Sequence, residues 1–170
     1  MNYAKIKYLD IADGTGLRTS LYVSGCTNNC PGCFNKEAQD FNYGNEFTRD
    51  IEDQIIKSVD LKYVDGITLL GGDPLEYKNA EALYGFICRF RNIYHNTKSI
   101  WLYSGYTYDF IMNLNDDDPR KLLLNLCDVM VDGLFVEKLK DITLKFRGSS
   151  NQRIIDINKS TLGNVVLHTL

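Results

Sequence analysis

Three cysteines fall within eight residues of this 170-residue chain, in the run Cys26-Thr-Asn-Asn-Cys30-Pro-Gly-Cys33. Thiolates are soft ligands that select zinc or iron–sulfur clusters. A loop this short can wrap its thiols around one inorganic cluster, each thiol taking a different corner. A cubane held wholly by protein uses four cysteines, so three leave one iron without a protein ligand. An open coordination position is where a metal centre does chemistry. The competing reading is a structural zinc site, which wants four ligands, often as two Cys pairs. Its fourth ligand would have to be Cys88, Cys127, His95 or His168. The ligand count favours a [4Fe-4S] cluster on Cys26, Cys30 and Cys33. Cys88, amid Phe86, Ile87 and Phe90, and Cys127, at the start of a strand, read as core, because free cysteine is among the most buried residue types.

Gly71-Gly72-Asp73-Pro74 is the second feature with binding potential. Two glycines at a strand end let a ligand or another backbone come close, and an N–H or C=O at that edge can bond a polar ligand. Taken alone, the same residues are those of a tight turn. Other candidates are weaker. The only histidines are His95, near a helix end, and His168, near the end of the sequence, which gives no support to a histidine-based hydrolase. Asp116-Asp117-Asp118 before Pro119 reads as a solvated loop rather than a metal triplet. Trp101, Tyr103 and Tyr106 could stack on a nucleobase, although core packing suits Trp101 better.

These residues need elements to hold them. A turn at 13–16 leads into a strand over 17–24, which ends at the cysteine-rich loop 25–36. Thr48 is placed to cap a helix over 48–59 whose apolar face is Ile51, Ile55, Ile56 and Val59. A strand over 66–70 runs into the glycine pair. Asn79 is placed to cap a second helix to about 94, with Leu83, Phe86, Ile87 and Phe90 facing inward. A strand over 99–103 follows, then a helical region over 107–126 broken at 116–119, and a strand over 128–131. A Gly-Ser-Ser-Asn turn at 148–151 precedes a last strand near 153–157. Strand–helix alternation implies right-handed βαβ units and a parallel sheet. Such folds carry their sites where the strands end, here the loops 25–36, 71–75, 104–106 and 132–134.

Length fits one domain over residues 1–170, with a core that needs no disulfide staples. The chain is 44% hydrophobic and 24% charged, and its net charge of −3 sets up no field for nucleic acid or an anionic membrane. No apolar run is long enough for a transmembrane helix, and residues 1–10 lack the apolar stretch of a signal peptide. A cytoplasmic location is therefore expected, where thiols stay reduced and clustered cysteines bind metals. The odd count of five cysteines also argues against a disulfide framework.

Gly14-Thr-Gly-Leu-Arg18, Val23-Ser-Gly-Cys26, Pro31-Gly-Cys-Phe-Asn35, Gly71-Gly-Asp-Pro74, Trp101-Leu-Tyr-Ser-Gly-Tyr106, Val131-Asp-Gly-Leu-Phe135 and Arg147-Gly-Ser-Ser-Asn-Gln152 together span nearly the whole sequence. In these segments the chain resembles the activating proteins of anaerobic (class III) ribonucleoside-triphosphate reductases, in the radical S-adenosylmethionine (SAM) superfamily. The resemblance implies an α/β fold of the radical SAM type. A full (βα)8 barrel takes about 250 residues, so the expected form is an incomplete, open-sided parallel (βα) barrel. It also implies three irons held by Cys26, Cys30 and Cys33, with the fourth binding the amino and carboxylate groups of SAM. Gly32, Cys33 and Phe34 would lie along SAM, the Gly71-Gly72 edge would receive its amino group, and Asp73 would belong to the same cofactor-binding set. No side chain is then catalytic in its own right. An electron from the reduced cluster would split SAM into methionine and a 5′-deoxyadenosyl radical, which would take hydrogen from a glycine of the reductase.

The implied partners are the large glycyl-radical subunit of the reductase and a flavodoxin- or ferredoxin-type electron donor, with a homodimer left open. The loop departs from the family where members often carry a histidine and this chain has Asn28-Asn29. That position is not a cluster ligand. Activases of other glycyl-radical enzymes, such as pyruvate formate-lyase, or a small-molecule radical SAM enzyme of deazapurine synthesis, are the nearest alternatives. A non-catalytic zinc adaptor is the alternative from another class. Residues 147–153, with Arg147 and Arg153, have two readings: a docking surface for the reductase, or closure of a sheet edge.

Overall fold

Period-two alternation sorts the side chains of each strand onto two faces, and in this computed structural model, which describes residues 1–170, the faces differ in kind. From β2 (Arg18–Val23), Leu21 and Val23 join the main core with Ile67 and Leu69 of β4 (Gly66–Gly71) and with Ile100 and Leu102 of β5 (Ser99–Ser104). Helices cover this face. Ile55 and Val59 come from α1 (Arg49–Val59), and Leu83, Phe86, Ile87 and Phe90 from α2 (Tyr77–Tyr94). The expected helical region 107–126 is two helices, α3 (Tyr108–Met112) and α4 (Pro119–Leu124), which add Ile111, Leu123 and Leu124. Asp118 caps α4 through Arg120 N and Asp116 pairs with Lys121, so the acidic triplet serves the loop.

The other face carries Trp101 packed with Val129 and Val131 of β6 (Val129–Asp132) and Ile154 of β7 (Arg153–Asp156). Arg18 is fully buried here without a carboxylate partner. Its guanidinium donates to Thr68 Oγ1, Ser99 Oγ and the carbonyls of Thr15, Ile67 and Ser99, and it lies 5.6 Å from the Trp101 ring centroid. Burial lowers its pKa to about 10, which still leaves it charged at neutral pH. Trp101 is 1% exposed and meets Phe146 and His168 edge-on, so it is a core residue.

The seven-stranded sheet has the order β3-β1-β2-β4-β5-β6-β7, with β1 at Asn2–Asp10 and β3 at Asn45–Glu46. Its centre, β2-β4-β5-β6, is parallel as expected. The sheet as a whole is mixed, which corrects the expectation of an all-parallel one: β1 and β3 on one flank and β7 on the other are antiparallel. Connection length explains both flanks. Parallel neighbours need a crossover, usually a helix. Only residues 11–17 join β1 to β2, and residues 133–152 between β6 and β7 hold no α-helix. Asn79 is also corrected. It lies inside α2, whose cap position is Glu76, and its amide points out of the helix.

Candidate functional site

The four loops that follow the parallel strands meet at one edge of the sheet, around a cavity of about 160 Å³. Cys26, Cys30, Cys33 and Phe34 line one side of it, and Gly71, Gly72 and Asp73 another. Ser104 and Gly105 at the end of β5, and Gly133 after β6, complete the rim. Gly32 does not line this cavity. It takes φ +69°, and a Cβ there would stand 2.8 Å from Glu137 Oε1.

All three thiols of the loop are free and half-buried. They share this cavity but do not converge on a point, and no three Cys, His, Asp or Glu side chains of the chain are grouped to grip a single ion. A zinc ion needs four donors at about 2.0–2.3 Å from one centre. A cluster spreads its ligands over separate irons, so thiols around a common cavity fit a cluster better. The four residues that could have supplied a fourth ligand lie elsewhere. Cys127 is buried and donates its S–H to Leu123 O at 3.4 Å. Cys88 sits on α2, His95 ends that helix, and His168 packs on Trp101. Burial pushes the Cys26 thiol up to about 11, against the help of Asn28, and also raises Cys30. These sulfurs are therefore protonated at neutral pH until a metal displaces the proton.

Gly72 is glycine because other backbone segments of the chain close in on it there. A Cβ on it would stand 2.5 Å from Gly25 O and 2.8 Å from Ala38 O. The glycine pair is thereby stitched to the cysteine loop, with Gly72 N on Val23 O at 2.7 Å and Asp73 N on Gly25 O at 2.8 Å. The Asp73 carboxylate is saturated from within. Oδ1 accepts from Leu75 N (2.9 Å) and Ser104 Oγ (2.8 Å), and Oδ2 from Gly105 N (2.9 Å) and Asn28 Nδ2 (3.0 Å). Burial lifts its pKa to about 6 even so. Asn28 thus adds a side-chain tie between the cysteine loop and Asp73.

Sequence reasoning missed the partners that come from far along the chain. Gln152 lines the cavity and holds its own loop closed: Gly148 N and Ser149 N donate to its Oε1, and its Nε2 donates to Gly133 O. Arg147 donates to Gln152 O at 2.6 Å, so its guanidinium serves this loop too. Phe135 stands 5.0 Å from Phe34 between ring centroids, and Lys140 caps the Phe34 ring at 5.0 Å. Tyr106 stacks on Phe110 at 5.5 Å, not on the cavity. The sequence signal for this wall was that Phe34 and Phe135 both fall in segments that carry the family resemblance.

A family model described as a 4Fe-4S single cluster domain matches residues 12–155. The chain is 40% identical, over 154 residues, to the anaerobic ribonucleoside-triphosphate reductase-activating protein of Escherichia coli (strain K12), an alignment covering 89% of this chain and 96% of that protein. The protein of the same name from Vibrio cholerae is 37% identical over 158 residues, covering 91% and 97%. The one from Enterobacteria phage T4 is 33% identical over 154 residues, covering 91% and 93%.

Proposed function

The chain belongs to the family of anaerobic ribonucleoside-triphosphate reductase-activating proteins and carries a 4Fe-4S single-cluster domain, and from that premise we propose that it is a radical SAM activase of such a reductase. Cys26, Cys30 and Cys33 would hold three irons of one cluster, leaving the fourth iron for SAM. When bound and reduced, that pair of groups would supply one-electron cleavage of SAM, the chemistry needed to remove a hydrogen atom from a glycine of the reductase.

The chain's own residues bind, orient and shield. The main chain at Gly71 and Gly72 presents its edge to the SAM amino group, while Cys33 and Phe34 flank the ligand. Asp73, bonded to Asn28, Ser104 and Gly105, keeps three rim loops in register. Phe34 and Phe135 form an apolar wall that helps exclude water from a reactive intermediate. We read the mixed sheet as the open-sided partial barrel of this superfamily, formed by residues 1–170 as one domain in the cytoplasm. Its open side receives the glycine-bearing loop of the reductase. A flavodoxin- or ferredoxin-type protein supplies the electron.

The observation that carries this reading is the ligand set: three cysteines line the cavity and no fourth cysteine or histidine does. Electron paramagnetic resonance (EPR) of the reductase, after anaerobic incubation with this protein, SAM and a reductant, tests it. A glycyl doublet is expected. No doublet, from preparations in which SAM is cleaved, would exclude the reductase as substrate.

A further inference from the structure

The backbone of the cysteine loop is tied to the rest of the fold through its first half and hardly at all through its second. On either side of Cys26 the amides are bound in succession: Gly25 N to Ala38 O at 2.7 Å, Cys26 N to Gln39 O at 3.1 Å, and Thr27 N to Glu76 Oε1 at 2.7 Å. Thr27 Oγ1 donates to the same Glu76 oxygen at 2.6 Å. Across residues 30–33 the only backbone bond is the local one from Cys33 N to Cys30 O at 3.2 Å.

Glu76 stands at the cap position of α2, where the helix dipole favours a negative charge, yet its side chain makes no capping bond. It is 8% exposed, lies outside the cavity, and gives both of its side-chain bonds to Thr27. A carboxylate buried at that depth needs such donors. We infer that Glu76 is a positioning residue for the metal site: it fixes Thr27, and through it Cys26, as the rigid ligand, while Cys30 and Cys33 on the untethered half close onto the cluster. This rests on the reading that the loop holds a [4Fe-4S] cluster. Partners behind first ligands commonly govern metal retention, and their loss costs about 10–100-fold in metal affinity or activity.

The test compares wild type, Glu76→Ala, Glu76→Gln and Thr27→Val, each reconstituted anaerobically as the full chain. Iron and sulfide are counted, iron transfer to a chelator is followed by the loss of visible absorbance, and the reduced clusters are compared by EPR. Glu76→Ala should release iron about 10–100-fold faster than wild type and give an altered EPR line shape. Glu76→Gln keeps an oxygen that accepts from Thr27 N and should stay close to wild type. Thr27→Val keeps the backbone bond and should fall between them. Wild-type release rate and line shape in a folded Glu76→Ala protein would overturn the inference. Should that variant fail to fold, a wild-type rate in Thr27→Val would overturn it instead. A wild-type chain that takes up no iron and sulfide would overturn the cluster reading beneath it, a result distinct from both.

Discussion

Replacing Asn79 asks whether a single amide joins the two principal loops of the site. The residue is 1% exposed, and its Nδ2 is the one donor that reaches Ser24 O, at 3.0 Å. It also reaches Gly25 O at 3.2 Å and Asp73 O at 2.9 Å, which keep second donors in Asp73 N and Glu76 N. Asn79→Ala therefore strips one buried carbonyl bare and weakens two others. A buried polar group left unpaired costs about 1–3 kcal/mol and an ordinary bond about 0.5–1.5 kcal/mol, so a loss of about 2–4 kcal/mol is expected. That is a large share of a total stability of about 5–15 kcal/mol. Asn79→Asp keeps the shape but turns a carboxylate toward three carbonyl oxygens. A stranded buried charge costs about 3–5 kcal/mol, so this variant should be the less stable of the two at pH 7. A buried carboxylate without donors has a folded pKa above its unfolded value, so the deficit should shrink as the pH falls and the proton binds the folded state first. Urea unfolding of the metal-free, thiol-reduced chain, followed by circular dichroism, measures each difference at unchanged denaturant slope. The reasoning fails if Asn79→Asp is no less stable than Asn79→Ala at pH 7, or if both lie within about 0.5 kcal/mol of wild type, the range of an ordinary surface change.

Serine at Cys26, Cys30 or Cys33 should each abolish cluster retention on anaerobic reconstitution, whereas Cys88→Ala and Cys127→Ala should keep iron and sulfide at wild-type stoichiometry. Gly72→Ala puts a methyl 2.5 Å from Gly25 O, so it should part the two loops, cost about 1–3 kcal/mol as an overpacked site, and weaken SAM binding in equilibrium dialysis. Unchanged SAM binding there would separate the glycine pair from the ligand. Burial holds Asp13 and Asp73 at about 6, above their ordinary 3.8. The folded state then keeps protons that the unfolded chain releases, so their stabilising effect is full below about pH 4 and is lost as the pH rises through 6. Asp13→Asn should flatten that part of the stability–pH curve, and a curve superposable on wild type would contradict the assignment.

Much of the architecture was legible because the decisive patterns are local. Leu83, Phe86, Ile87 and Phe90 recur at helical spacing and are all buried on α2. The cysteine loop and the glycine pair both follow strands whose apolar runs are unambiguous. The first strand was not legible, because most of Asn2–Asp10 is exposed or half-exposed on the sheet's flank, with a bulge between Lys7 and Asp10 that breaks alternation. The direction of β7 was not legible, because strand spacing alone does not say how two strands pair once the intervening segment lacks a helix. Asn79 has a capping residue's chemistry but spends its amide on Ser24, Gly25 and Asp73. Thr27 and Glu76 are 49 residues apart, and nothing in either neighbourhood announces the bond between them. Asp73 was legible as part of a site; that its carboxylate would be consumed by Asn28, Ser104 and two amides depends on tertiary contacts alone.

EPR of the reduced, anaerobically reconstituted protein, recorded before and after SAM is added, examines the vacant iron corner most directly. SAM should change the cluster signal in the wild type, because it enters the coordination sphere of the iron that no cysteine holds. A signal indifferent to saturating SAM, from protein with a full complement of iron and sulfide, would contradict the account.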